Sequence, residues 1–428
     1  MSSTLRVESQ ADFRKFGPAV FRRIVPDSVV EEIASRHGGD LRKRKLPVVV
    51  HLWLLVMVQL DGLARCLDAV IERSWEGLRD ELGLPPGSKP LDKSSLSRKN
   101  SSRSPAIFRD VFLWLIREYQ ERFSTPLCFP MLEMKTAILD STSVDIAARL
   151  YRWFFNGGKH RKAGHAQAKV HVLYDADLKL PSEAEISRGS AHDMKWAKRL
   201  LRKLLEPTLV LFDRGYWDHA LFTWLVHQGH GFVTRLKDNV CPRKIKRLGK
   251  GDWLVRFDAS KGKEIPFPLR MIKWKAENGD TLFFITSLTD AEAFPPELIA
   301  EMYVKRWEIE IFFRDLKHVL RMENFLSYSA NGIRLQIYAA LIAYVLLKYI
   351  RAEASEATKT NLTELSFKRT VDIVAIWLGA SPRRCYGASE RQTKTQWSDL
   401  LTSIGTYAYQ RQRTRASQSG KRSSKRAA

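Results

Sequence analysis

Twice along this chain a short apolar run, free of glycine and proline, stops at an aspartate and turns polar. Thr136-Ala-Ile-Leu leads into Asp140-Ser-Thr-Ser, and Thr208-Leu-Val-Leu-Phe leads into Asp213-Arg214-Gly215-Tyr216. Runs this short, apolar on successive positions, read as strands covered on both faces. An acid at the carboxyl end of such a strand commonly lines a site, because the sheet holds it at the edge where loops and helix ends meet. Taken singly, either aspartate is more simply a turn or helix-cap residue.

The intervening order gives the pair its meaning. Lys169-Val-His171-Val-Leu-Tyr-Asp175 alternates with period two, and Ser182 to Ser187 supplies another short strand, so with the first run they form an antiparallel meander. A helix from about Met194 to Leu205 precedes the second aspartate-ended strand. Three strands, a helix, then a fourth strand with acids ending the first and fourth is the outline of an α/β, ribonuclease H-like core, in which a later helix would supply a third acid.

The run from about Pro295 to Leu320 lacks proline and glycine after Pro296. At about 100° per residue, Met302, Ile309, Phe313, Leu316 and Leu320 gather into an apolar stripe. Tyr303, Arg306, Glu310 and Lys317 form a second stripe beside it, whereas Glu308 and Asp315 fall on the far side. Glu310 is thereby the half-buried acid; the simpler reading of this helix alone is a solvated face with ion pairs. Asp140, Asp213 and Glu310 together offer oxygen ligands suited to magnesium or manganese, with two ions about 4 Å apart. One ion would activate a water or sugar hydroxyl and the other would stabilise the departing oxygen of a phosphodiester. His171 and His192 read as structural or DNA-facing, since carboxylate sites for magnesium seldom recruit imidazole.

Charge names the class of partner. Lysine and arginine number 71 against 47 acids, a net charge of +24, which points to a polyanion, with nucleic acid ahead of membrane. A hydrophobic content of 44% over 428 residues supports two or three cored domains and excludes a disordered chain. Cys66, Cys128, Cys241 and Cys385 are too scattered for a zinc ribbon or disulfide framework, and Met1 to Gln10 lacks a secretory apolar segment. The expected setting is the cytoplasm. Leu46 to Leu60 and Ile337 to Leu347 fall short of the roughly 20 residues of a bilayer span and read as buried helices.

The Tyr303, Arg306, Glu310, Lys317 spacing, joined to Asp213-Arg214-Gly215-Tyr216, resembles the signatures of the DDE transposases of bacterial insertion sequences, in the group of insertion sequence four. The resemblance is clearest from Lys135 to Leu347 and weaker around Ser94 to Ser97 and Ala106 to Asp110. It implies that Asp140, Asp213 and Glu310 are the metal-binding catalytic triad and that Tyr303, Arg306 and Lys317 hold phosphates of the element's end. Further candidate DNA contacts are Arg214, beside the second acid, and the basic patch of Lys159, Arg161, Lys162 and Lys169 between the first two strands. Ser94 to Arg103, rich in hydroxyls and cations, suits phosphate contact as well; its plainer reading is a solvated connector.

The implied organisation is a helical DNA-binding region (1–130), the first part of the core (131–230), a β-rich insertion (231–293), the second part of the core (294–350), and a helical carboxyl-terminal region with a basic tail (351–428). In the resembling family the insertion helps to bind DNA and form a hairpin end, sometimes stacking an aromatic residue on a flipped base. At that place this chain has Leu282, Phe283 and Phe284, and a buried strand is the simpler explanation of Phe283. The family's carboxyl-terminal helices imply a dimer in the synaptic complex. The function so implied is cleavage at the terminal inverted repeats of a mobile element and joining of double-stranded DNA to a target. A nuclease that cuts without joining, and an idle descendant that only binds DNA, stay open; the presence of all three acids argues against the second.

Overall fold

The computed structural model describes residues 21–39, 46–61, 92–123, 125–146, 166–260, 264–277, 279–380 and 397–407, with a few isolated positions besides. In chain order, α1 (Asp27–Arg36), α2 (Val48–Asp61), α3 (Lys93–Ser102) and α4 (Pro105–Arg122) come first. Strands β1 (Lys135–Ile146), β2 (Ala166–Asp175) and β3 (Leu180–Arg188) follow, then α5 (Asp193–Leu201), β4 (Thr208–Phe212), α6 (His219–His227) and β5 (Gly231–Arg235). Next come β6 (Arg243–Gly249), β7 (Asp252–Arg256), β8 (Leu269–Lys275) and β9 (Thr281–Thr286), and then α7 (Pro296–Val304) and α8 (Trp307–Arg314). A π-helical turn (Asp315–Val319), α9 (Ala330–Thr358) and α10 (Phe367–Ala380) complete the order. The chain divides into two compact units, one of residues 124–313 and one combining 1–123 with 314–428.

The first unit is a mixed nine-stranded sheet in the order β3-β2-β1-β4-β5-β9-β8-β7-β6. β1, β2 and β3 pair antiparallel, while β4 runs parallel to β1 and β5 parallel to β4. This is the ribonuclease H-like arrangement expected of the meander followed by a crossover helix. The β-rich interval does not stand apart: β9 pairs antiparallel with β5, so the same sheet continues through β8, β7 and β6. Alternation sends Ala137, Leu139, Val210, Phe212 and Phe232 into one apolar core with Leu200 and Leu201 of α5 and Phe222 and Leu225 of α6. Phe283 packs partly buried against that core, as a strand residue would. The outer strand β6 ends the sheet with Arg243, Lys244, Lys246 and Arg247 exposed, charges that discourage edge-to-edge pairing. The fully buried Arg270 binds Asp252 through two bonds of 2.9 and 2.6 Å and the Phe294 carbonyl at 2.6 Å, fixing the loop that enters α7.

The second unit is helical. α9 is long and apolar enough by composition to cross a membrane, yet 89% of that window is buried inside the protein, where α9 packs against α2, α3 and α4. Residues 48–60 of α2 are likewise buried. Polar ties fix the packing: Asn331 donates to the Asn100 and Arg103 carbonyls, the Asn100 side chain meets His51 at 2.7 Å, and Arg122 reaches Glu356 at 2.7 Å. Ser94 to Ser102 lie in α3, which Asp92 caps and which buries Leu96 and Asn100.

Two expectations need correction. β1 does not stop at Asp140 but continues to Ile146, because β2 pairs with it from Ala137 to Ile146. The run from Pro295 to Leu320 is not one regular helix. At Lys305–Arg306 the backbone bonds tighten, Arg306 N–H donating to Tyr303 and Glu308 N–H to Lys305, and at 315–320 they widen, Leu320 N–H reaching Asp315. A wheel of constant 100° fails at both places, and Asp315, expected on the far side, is buried.

Candidate active site

The register of two parallel strands sets the first pair of acids. Leu139 is the last residue of β1 paired with β4, opposite Phe212, so Asp140, still within β1, and Asp213, the first residue after β4, stand at the same level, about 4.8 Å apart in backbone. Leu139 and Phe212 point into the core beneath α5 and α6, which turns Asp140 to the opposite face. That face is covered by α8, whose Phe312 packs against Tyr174 with ring centroids 5.5 Å apart. The Asp213 carboxylate accepts the Gly215 N–H at 2.8 Å, and a Cβ at Gly215 would stand 2.9 Å from that same oxygen, so any side chain there would displace the carboxylate.

Arg306 joins the helix acid to the strand acid. Its guanidinium lies 2.7 Å from Glu310 and 3.8 Å from Asp140, and its side chain is only 12% exposed. The same group stands 5.7 Å from the Tyr303 ring and 5.5 Å from that of Trp307. Tyr303 is buried, its ring 5.0 Å from that of Phe284 on β9. Burial pushes the Asp140 carboxyl up to about 6, with the charges of Asp213 and Glu310 adding to the rise and the Ser141 N–H and Arg306 opposing it.

Glu308 and Glu310 are both half-buried, and they differ in partner. The Glu308 side chain is 21% exposed and that of Glu310 38%, the reverse of the order expected from the sequence. Glu308 pairs with Lys305 at 3.4 Å and its charge acts on Cys128, whose thiol is pushed to about 12 chiefly by burial. The charge of Glu310 acts on Asp140. Among the described residues, no three His, Cys, Asp or Glu side chains converge as ligands of an ion, and Arg306 supplies the positive charge between Asp140 and Glu310. In chemistry the donor set fits a divalent cation: three carboxylates, one held short of easy ionisation by its surroundings, gain from a doubly charged neighbour.

The remaining expected residues are dispersed. Lys317 belongs to the helical unit, on the π turn, and pairs with Glu323 at 3.4 Å. Arg214 is 45% exposed and meets Asp238 at 2.5 Å. Lys169 is 16% exposed and tied to Asp193 at 3.0 Å, so its charge is engaged within the protein. Lys159, Arg161 and Lys162 lie outside the described residues. His171 is buried, bonded to Ser187 at 2.7 Å and held down to about 4, chiefly by burial; His192 is exposed at the start of α5. Sequence reasoning passed over Asp193, whose place at the first turn of a helix looks like ordinary capping, and named Tyr216 only as part of the second-aspartate motif, with no role of its own.

Residues 132–346 match the family model for a transposase DDE domain. The protein y4zB of Sinorhizobium fredii, a transposase by name, is 31% identical over 303 residues, which cover 68% of this chain and 77% of that one. Transposase InsG for insertion sequence element IS4 of Escherichia coli is 29% identical over 381 residues, covering 84% and 83%. The piggyBac transposase, solved as a synaptic complex with hairpin DNA, aligns with 92% of this chain and 87% of that one at 13% identity, with a TM-score of 0.46, too low to carry a conclusion.

Proposed function

This chain belongs to the DDE transposases of insertion sequences, in the group of insertion sequence four, and on that premise we propose that Asp140, Asp213 and Glu310 are its catalytic carboxylates, acting on the double-stranded ends of its own element. The observation that carries the reading is the placement of the three acids by separate elements: Asp140 within β1 level with Asp213 just after β4, and Glu310 of α8 joined to Asp140 through Arg306. Magnesium or manganese, two ions in the full site, would be held by these three carboxylates and would supply charge neutralisation for in-line attack on a phosphodiester.

The chain's own residues then divide the work. The three carboxylates face the reacting phosphate from one side. Arg306, already lodged against Asp140 and Glu310, is placed to take a phosphate oxygen, and Tyr303 supports its guanidinium from the β9 side. Lys317 would add a further phosphate contact, and the cations of 159–162 and of the carboxyl-terminal tail would add sequence-independent affinity. Hydrolysis frees a 3′ hydroxyl, whose oxygen then attacks a target phosphodiester while a target 3′ oxygen departs. A dimer on paired ends, assembled in the cytoplasm, completes the proposal.

The test uses purified full-length protein, a labelled element end, a target plasmid and magnesium, read for cleavage, joining and paired-end complexes. Asp140→Asn, Asp213→Asn and Glu310→Gln should each abolish cleavage and leave end binding largely intact, while Glu308→Gln stays active. Cleavage without any joining would reduce the protein to a nuclease. A dead Glu308→Gln beside an active Glu310→Gln would overturn the assignment of the helix face.

A further inference from the structure

We infer that Tyr216, Ser141 and Asp193 form a strut behind the site, positioning the two strand aspartates for a shared cation; the inference rests on the reading of Asp140 and Asp213 as metal ligands. The need for such a strut follows from the register. Pairing of β1 with β4 ends at Leu139 opposite Phe212, after which β1 continues beside β2 and the other chain enters a tight turn, Arg214–Tyr216. The two acids therefore stand just beyond the last ladder contact between their strands. A shared ion requires the two carboxylates to be held within about half an ångström of the productive geometry.

On the face opposite Asp140, side chains replace the missing ladder. The Tyr216 hydroxyl, three residues beyond Asp213, lies beside the Ser141 side chain. The Ser141 hydroxyl donates to Asp193 at 3.0 Å, and its N–H donates to the Asp140 carboxylate at 2.7 Å. The single hydrogen of the Ser141 hydroxyl goes to Asp193, which leaves its lone pairs for the neighbouring Tyr216 hydroxyl. Asp193 is fixed in turn by Lys169, whose ammonium reaches both carboxylate oxygens at 3.0 and 3.1 Å. His171 stands 3.5 Å from Asp193 and stacks on Trp196 at 5.4 Å, closing the other side. The chain of contacts runs from the turn of the second acid, through the strand of the first, to the start of α5. Each bond orients the next, so loss of one member loosens the whole.

A role confined to folding would show itself differently. The strands are already fixed by fully buried Val210 and Phe212 and nearly buried Leu139, so the strut adds little that the core does not supply. Its removal should instead loosen the acids. The experiment measures manganese binding to full-length protein by electron paramagnetic resonance, with the metal dependence of cleavage and thermal unfolding measured on the same samples. Tyr216→Phe and Ser141→Ala are expected to raise the manganese concentration for half-saturation about tenfold, as loss of a partner that orients a metal ligand does elsewhere, with most of the cleavage rate restored at saturating metal. Asp140→Asn, run alongside, should abolish manganese binding. Wild-type manganese curves in both strut variants, whatever their melting temperatures, would overturn the inference. Undiminished binding by Asp140→Asn would instead overturn the assignment of the site itself.

Discussion

Replacing Asp140 by asparagine removes a carboxyl group raised from the ordinary 3.8 to about 6, chiefly by burial, with Asp213 and Glu310 adding and the Ser141 N–H and Arg306 opposing. A native pKa above the unfolded one means that the folded protein holds the proton more tightly. Its contribution to stability is therefore fully present below about 3.8 and is lost as pH rises through about 6. From 3.8 to about 6, at about 1.4 kcal/mol per pH unit, the penalty on the ionised form comes to about 3 kcal/mol. The side chain is 22% exposed, so solvent screening lowers that figure toward about 2 kcal/mol. Asparagine keeps the shape and carries no charge to desolvate. Without divalent metal, Asp140→Asn should therefore be more stable than wild type at pH 8 by about 2 kcal/mol and nearly equal to it at pH 4. Magnesium should reverse the order at pH 8, since a cation a hundredfold above its Kd stabilises the protein that binds it by about 2.7 kcal/mol. The assay is thermal and denaturant unfolding of both proteins at the two pH values, with and without magnesium. A gain independent of pH, or an asparagine variant that is less stable at pH 8 in chelator, would refute the reasoning and make Asp140 a structural partner of the Ser141 amide.

Arg306→Ala and Lys317→Ala should each weaken binding to the element end and reduce the slope of log affinity against log salt by about one, the signature of a lost phosphate contact. Binding titrations at several salt concentrations decide it, and unchanged slopes would return both residues to fold support. Arg270→Met should destabilise the sheet unit by about 3–5 kcal/mol, because Asp252 is left charged and buried. Adding Asp252→Leu should recover most of that loss in denaturant unfolding; a double variant no better than the single one would show that the carbonyl contacts of Arg270, and not its ion pair, hold the loop before α7.

The strand acids were legible because they depend on few assumptions. An apolar run flanked by polar residues gives a covered strand, and two such runs in a parallel pair bring the residues after them level, as Leu139 opposite Phe212 does for Asp140 and Asp213. The extent of β1 was not legible, because Ser141, Thr142 and Ser143 look like a loop until β2 is known to pair with them. Nor was the continuity of the insertion with the core sheet, which depends on β9 finding β5 rather than closing its own barrel. Lys169 looked like a free cation for the same reason: its partner, Asp193, lies on an element 24 residues away in sequence.

The helix shows where local reasoning stops. Arg306 and Glu310 are four residues apart, and that spacing makes them neighbours whether the turn before them is tight or regular, so the sequence puts them on one stripe and the structure pairs them at 2.7 Å. Which face the pair presents depends on the phase of the helix, and phase accumulates every irregularity: the tightening at Lys305–Arg306 advances it, and the π turn at Asp315–Val319 sets it back. Glu310 lies between the two breaks and keeps its place relative to Arg306. Asp315 lies at the second break, and the wheel misplaced it. Lys317 lies within that turn, so the four-residue spacing alone does not fix its direction. For that reason the salt dependence of Lys317→Ala is the more exposed of the two binding tests, since Arg306 lies against Asp140 and Glu310 whereas Lys317 is linked to them by spacing alone.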